Sequence, residues 1–114
     1  MDDYIRLINK SEDYIERNLS ERISLDDLAR NANLSKYHFH RLFSKHNEET
    51  VKQFITRIKM ERSAMLVAAR TDLTITEIAF RYGYNDASTY SKAFKKQMGM
   101  SPAAFRTARN DKPS

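Results

Sequence analysis

The chain states one pattern twice. From Ser24 to Phe43 it reads S-L-D-D-L-A-R-N-A-N-L-S-K-Y-H-F-H-R-L-F, and from Thr74 to Phe94 it reads T-I-T-E-I-A-F-R-Y-G-Y-N-D-A-S-T-Y-S-K-A-F. Leu28-Ala29 answers Ile78-Ala79, and Asn33-Leu34 answers Gly83-Tyr84. After a slip of one residue, Phe39 matches Tyr90, Phe43 matches Phe94, Thr50 matches Ser101 and Phe54 matches Phe105. A repeat of about 50 residues means that one supersecondary unit is used twice. In 114 residues there is room for two such units and little else.

Each copy carries the signals of two helices joined by a sharp turn. Ser24 with Asp27, and Thr74 with Glu77, form capping boxes that open the first short helix of each copy. Asn33 and Gly83 follow those helices and tolerate the left-handed backbone that a tight turn requires. Ser35 and Asp86 then cap second helices expected over about Lys36 to His46 and Ala87 to Gln97. Ahead of the first copy, Tyr4, Ile5, Leu7, Ile8, Tyr14 and Ile15 have helical spacing, which predicts a helix over about Asp3 to Asn18. Between the copies, Val51 to about Ala69 reads as one long helix, with Phe54, Ile55, Ile58, Met65 and Leu66 among its apolar positions. Ser101-Pro102 opens a last short helix, since proline suits the first helical position. Asn110 to Ser114 are expected to fray. The pattern gives about seven helices and no strand. The expected fold is all-α, two homeodomain-like helix-turn-helix subdomains joined by a long central helix. The boundaries run 1–50 for the first subdomain, 51–70 for the linker helix, 71–110 for the second subdomain and 111–114 for the tail.

Composition removes several classes of function. Two Gly and two Pro are too few for a many-turned β-fold. No apolar run approaches the roughly 18 residues of a membrane span, and Asp2 and Asp3 stand where a secretory signal would be basic. With no Cys there is neither a disulfide nor a thiolate metal site, which fits a reducing cytoplasm. All three His lie between His38 and His46, but His38 and His40 point to different sides of a helix, so no metal is expected. Asp26-Asp27 and Glu48-Glu49 suit helix ends better than acid–base catalysis, and no phosphate loop or nucleophile elbow is present. The chain is therefore read as a non-enzyme without cofactor. Its net charge of +5 is unevenly spread: residues 1–33 carry eight acidic and five basic side chains, and residues 34–114 carry seven acidic and fifteen basic. That asymmetry favours a polyanionic partner.

At helical spacing, Phe39, Leu42, Phe43 and His46 form an inward stripe, whereas Tyr37, His40, Arg41 and Ser44 lie on the opposite one. Every member of the second stripe can hydrogen-bond. Arg41 can offer a bidentate fork to guanine, His40 can donate or accept at a base edge, and Tyr37 can pack on a thymine methyl or bond a phosphate. Carrying this set 51 positions forward gives Ser88, Ser91, Lys92 and Lys95, with Tyr90, Ala93 and Phe94 turned inward. Arg41 maps onto Lys92, a cation without arginine's planar fork, so the second face should discriminate bases less sharply. A linking helix of about 19 residues is about 28 Å long, against roughly 34 Å between successive major grooves on one side of a duplex. A monomer should thus span two adjacent grooves, with modest bending of the duplex. Helix N-termini near Thr50 and Ser101 suit phosphate. Lys36, Ser44, Lys45, Lys95, Lys96 and Arg106 are further phosphate candidates. Arg57, Lys59 and Arg62 read better as linker surface or ion-pair partners, and Met60, Met65, Met98 and Met100 as core filler.

The string I-T-E-I-A-F-R-Y-G-Y, followed by S-T-Y-S-K-A-F-K-K-Q-M-G-M-S-P-A-A-F-R, resembles the AraC/XylS family of bacterial transcriptional regulators. The first copy agrees well, and the likeness covers about Leu19 to Arg109. It implies two helix-turn-helix subdomains that bind promoter double-stranded DNA, most often to activate transcription, with RNA polymerase as a second partner and a cytoplasmic, nucleoid-associated location. It also implies base contacts from positions matching Tyr37, His40 and Arg41, and from those matching Ala87, Ser88, Ser91 and Lys92. Family members usually carry Gly where this chain has Asn33 and Glu48. Many attach the module to a ligand-sensing domain, so the chain is expected to be part of a longer ligand-responsive regulator; no effector site is visible in it. The alternative is a helical interaction module that docks on the transcription machinery without reading bases.

Overall fold

Local chemistry at the helix ends sets the architecture. The structure, a computed structural model, describes residues 2–110. Among them lie seven helices and no strand: α1 (Asp2–Arg17), α2 (Leu25–Asn31), α3 (Lys36–His46), α4 (Val51–Ala69), α5 (Ile75–Arg81), α6 (Ala87–Met98) and α7 (Pro102–Asn110). Both capping boxes form. Ser24 Oγ accepts from Asp27 N at 3.2 Å while Asp27 Oδ2 accepts from Ser24 N at 2.9 Å. Thr74 and Glu77 repeat the exchange at 3.0 and 3.2 Å. Each box satisfies N–H groups that a helix leaves without partners at its start.

The turns after α2 and α5 are the same device. Asn33 sits at φ 59° and Gly83 at φ 85°. Leu34 N donates to Ala29 O at 2.9 Å and Asn33 N to Arg30 O at 3.1 Å; Tyr84 N and Gly83 N do the same to Ala79 O and Phe80 O. This is the paired bonding of a Schellman motif, which stops a helix and redirects the chain. Ser35 Oγ and Asp86 Oδ1 then accept from His38 N and Thr89 N, starting α3 and α6.

Packing divides the described chain into two units. One comprises 2–18 and 22–58, the other 19–21 and 59–110, so the dividing point falls inside α4. The first unit buries Leu7 and Ile15 of α1, Leu28 and Ala29 of α2, Phe39 and Phe43 of α3, and Val51, Phe54, Ile55 and Ile58 of α4. Phe39, Phe43 and Phe54 form an aromatic chain with ring centroids 6.3 and 5.4 Å apart. The second unit repeats it with Tyr90, Phe94 and Phe105 at 5.8 and 5.5 Å. Its core adds Met60, Ala64, Val67, Leu73, Ile78, Ala79 and Tyr82. Leu19 packs on that second core, and Lys59 Nζ donates to Glu21 O, which ties the 19–21 segment to it.

Three expectations change, and the chain leaves α3 by a route the sequence does not indicate. Met65 is 64% exposed and Met100 38%, so neither is core filler; both face solvent. His46 is exposed, with its ring 4.9 Å from that of Tyr4, because it sits in the last turn of α3, past the reach of α2. Asn110 is the final residue of α7, its amide donating to Ala68 O and Arg106 O; the rest of the tail, 111–114, lies outside the described residues. Glu48 does not take the left-handed backbone that Gly99 adopts in the second unit (φ 88°). The chain leaves α3 through an extended Asn47, whose Oδ1 accepts from Glu49 N at 3.0 Å and whose Nδ2 donates to Tyr4 Oη at 3.2 Å.

Candidate nucleic-acid interface

Because Phe39 and Phe43 point into the first core, the opposite side of α3 must face solvent. Tyr37, His40, Arg41 and Ser44 are all exposed there, Tyr37 to 73%. Arg41 Nη1 lies 3.5 Å from Tyr37 Oη, one turn back along the helix. At that distance the contact steers the guanidinium along the exposed edge and leaves most of its donors open. Lys45 is exposed beside them. Lys36 sits 3.8 Å from Asp26 Oδ2 in a solvent-exposed pair, the kind worth about 0–1 kcal/mol and easily exchanged for another anion.

The second unit builds its counterpart from plainer side chains. Tyr90 and Phe94 hold α6 against the core, and Ser88, Lys92, Lys95 and Lys96 are exposed on its far side. Ser91 is half-buried, so it stands further back than Ser88 and Lys92. Ala87 is half-buried as well. Asp86 caps α6, and its bonds from Thr89 hold its carboxyl below the ordinary carboxylate value. It remains an anion at the start of the helix, favourable for the dipole.

The helix starts behind the two faces are also matched. Thr50 Oγ1 accepts from Gln53 N, and Gln53 Oε1 returns a bond from Thr50 N at 2.8 Å. Ser101 Oγ accepts from Ala104 N at 3.1 Å. Thr50 is exposed and Ser101 half-buried.

Arg106, another of the phosphate candidates, is engaged within its own unit. It is half-buried, and its guanidinium donates to Val67 O at 2.8 Å and Arg70 O at 3.1 Å. It fills the carbonyl end of α4, where a cation also offsets the helix dipole. Arg57 pairs with Glu49 at 2.8 Å and burial holds the Lys59 amine below its ordinary value, so both serve structure. Sequence spacing gives no sign of a basic edge on α1. There, Arg6 and Lys10 stand among acidic neighbours, and their i, i+4 placement distinguishes nothing until α3 is placed beside them. Among the described residues no cluster of His, Asp and Glu has a metal-holding arrangement, and no helix is long and apolar enough to cross a membrane.

Two helix pairs with equivalent caps and turns, each presenting a polar, cationic second helix, define a double helix-turn-helix domain. Residues 28–108 match the family described as a helix-turn-helix domain. YbfP of Bacillus subtilis, described as an uncharacterized transcriptional regulator of helix-turn-helix type, is 34% identical over 104 residues, 91% of this chain and 35% of its own length. AarP of Providencia stuartii, a helix-turn-helix transcriptional activator, is 33% identical over 93 residues, 82% of this chain and 68% of its own. The solved C-terminal domain of AraT, a response regulator of Geobacillus stearothermophilus, superimposes with a TM-score of 0.74 at 33% identity, covering 90% of this chain and 85% of that one. The chain belongs to the AraC/XylS-type family of helix-turn-helix transcriptional regulators, as a DNA-binding domain and not an enzyme. It spans about a third of the length of YbfP (35%).

Proposed function

We propose that the chain reads promoter DNA with two unlike heads, α3 and α6, entering adjacent major-groove segments of one duplex as a monomer. The observation that carries this reading is the repetition of one exposed edge. Arg41 and Lys92, fixed at equivalent places by the Phe39/Tyr90 and Phe43/Phe94 pairs, both face solvent. Tyr37, His40 and Arg41 are the base-reading set of the first head, with Ser88, Ser91 and Lys92 as the plainer set of the second. Lys36, Ser44, Lys45, Lys95, Lys96, and the helix starts at Thr50 and Ser101, hold phosphates; Arg106 does not belong to that set. The 19 residues of α4 reach about 28 Å, which supports engagement of neighbouring grooves by a single chain.

In a longer regulator this domain addresses the promoter while the remaining chain responds to a signal, with RNA polymerase recruited once the domain is seated. Activation is the favoured outcome, in a bacterial cytoplasm at the nucleoid. Selection of bound duplexes from a random pool, followed by anisotropy titration of the recovered site and a scrambled duplex, tests the reading. A preference of at least 10³-fold for the recovered site is expected. Equal binding to both duplexes, or binding to neither, would leave only a non-specific polyanion binder or a docking module.

A further inference from the structure

Arg6 and Lys10 stand one turn apart on α1 and line a groove of about 230 Å³ in the first unit. Leu7 of α1, Ala32 and Leu34 of the turn, and Leu42 of α3 form its apolar floor, while His38 of α3 stands on the far wall. Neither Arg6 nor Lys10 has an ion-pair partner among the described residues, although Asp3 lines the same groove one turn from Arg6. Asp3 is the one carboxylate lining the groove, so it offsets the two cations only in part. An anion seated there gains more than it would on an open surface, because the floor lowers the local dielectric.

The position of the groove identifies the anion. On α3, His38 and Lys45 follow at i and i+7 and so share one flank, between the exposed edge that carries Arg41 and the core. All three are exposed. A helix lying in a major groove has a sugar–phosphate strand along each flank, and phosphate contacts make up half or more of a protein–DNA interface. The groove between α1 and α3 opens on that same flank.

We infer that α1 takes part in DNA binding: Arg6 and Lys10, facing His38 across the groove, seat a phosphate of the strand bordering the major groove that α3 enters. This rests on α3 being the first reading helix. The Asp3 carboxylate limits the seat to a single phosphate, since a longer anionic track would run onto it. The net-acidic N-terminal segment thereby contributes two of its five cations to the interface, and fixes the angle at which α3 enters.

The test uses the whole chain on its selected duplex, titrated over a series of salt concentrations. Arg6→Gln/Lys10→Gln should lower affinity at least tenfold and flatten the slope of log K against log salt by about one unit. Arg17→Gln, which removes a cation elsewhere on α1, should leave the slope unchanged. A duplex with one methylphosphonate at the flanking position should bind the unaltered chain more weakly but the double variant no differently. Arg6→Lys/Lys10→Arg should restore the slope. If the double variant keeps the parent slope, or loses as much affinity on the methylphosphonate duplex as the unaltered chain does, α1 makes no phosphate contact while α3 still reads bases. If the unaltered chain selects no duplex, the reading of α3 falls and this inference falls with it.

Discussion

The Tyr90 hydroxyl donates to the Ser63 hydroxyl at 2.8 Å in the centre of the second unit, both side chains fully buried. Ser63 Oγ in turn donates to Met60 O at 2.9 Å, and burial pushes the Tyr90 phenol up to about 12. The first unit also buries a serine, Ser11, bonded to Leu7 O at 2.8 Å. The residue that matches Tyr90 in the repeat is Phe39, which has no hydroxyl. The two units therefore show one core with and without a polar link.

That comparison predicts an asymmetric response. Tyr90→Phe reproduces the arrangement of the first unit and should cost about 1 kcal/mol. Ser63→Ala strands a buried phenol and should cost more, about 1–3 kcal/mol. Chemical denaturation of both variants checks the order; equal losses would mean the phenol finds another acceptor.

The turns give a second contrast. A Cβ on Gly83 would lie 2.8 Å from Ser20 O in a backbone at φ 85°, so Gly83→Ala meets strain and a clash together. It should lower stability by about 1–3 kcal/mol. Asn33→Gly, at φ 59°, removes a side chain from a left-handed position and should shift stability by no more than about 0.5 kcal/mol. Thermal melts of the two variants measure the difference directly.

Acid sensitivity should come from carboxylates at helix boundaries. Arg70, bonded to Asp72 at 2.7–2.8 Å, holds the Asp72 carboxyl down to about 2. Bonds from Ser24 and Thr89 lower Asp27 and Asp86 in the same direction. A folded-state value below the unfolded one stabilises the fold above the ordinary value of 3.8, and this stabilisation disappears as pH falls through about 2. The contribution of these surface groups to the melting temperature should be small, hold steady at higher pH and fall away below about pH 4. Asp72→Asn should flatten part of that fall; an identical acid limb in the variant would contradict the assignment.

The reading faces should separate by chemistry. Arg41→Ala should cost about 1–3 kcal/mol on the selected site and relax preference at one base pair. Lys95→Ala should weaken all duplexes alike and reduce the salt slope by about one unit. Competition titrations with single-base variants of the site distinguish the two; a uniform loss for Arg41→Ala would reassign it to phosphate.

Much of this was legible in the sequence because it is encoded locally. Capping pairs, left-handed turn residues and the spacing of Phe39, Phe43, Tyr90 and Phe94 each act within a few residues. The rest depends on partners distant in the chain. Arg106 reads as one more surface cation until Val67 and Arg70 carbonyls are placed beside it. Met65 reads as core because α4 shifts its buried positions from 54, 55 and 58 to 60, 64 and 67, and a single helical stripe does not describe both halves. The turn at Glu48 was not legible because it is made by an Asn47 side chain that bridges Glu49 and Tyr4, a residue 43 positions away. The edge formed by Arg6, Lys10 and His38 has no local signal at all, since it joins two helices.

Methylation-protection footprinting of the selected duplex, which reads guanine N7 in the major groove, bears most directly on the two-headed account. The account predicts two protected major-groove segments on one side of the duplex, about 10–10.5 bp apart and unlike in sequence, with Arg41→Ala and Lys92→Ala each weakening a different segment. Protection confined to one groove, or one segment lost with both variants, would contradict it.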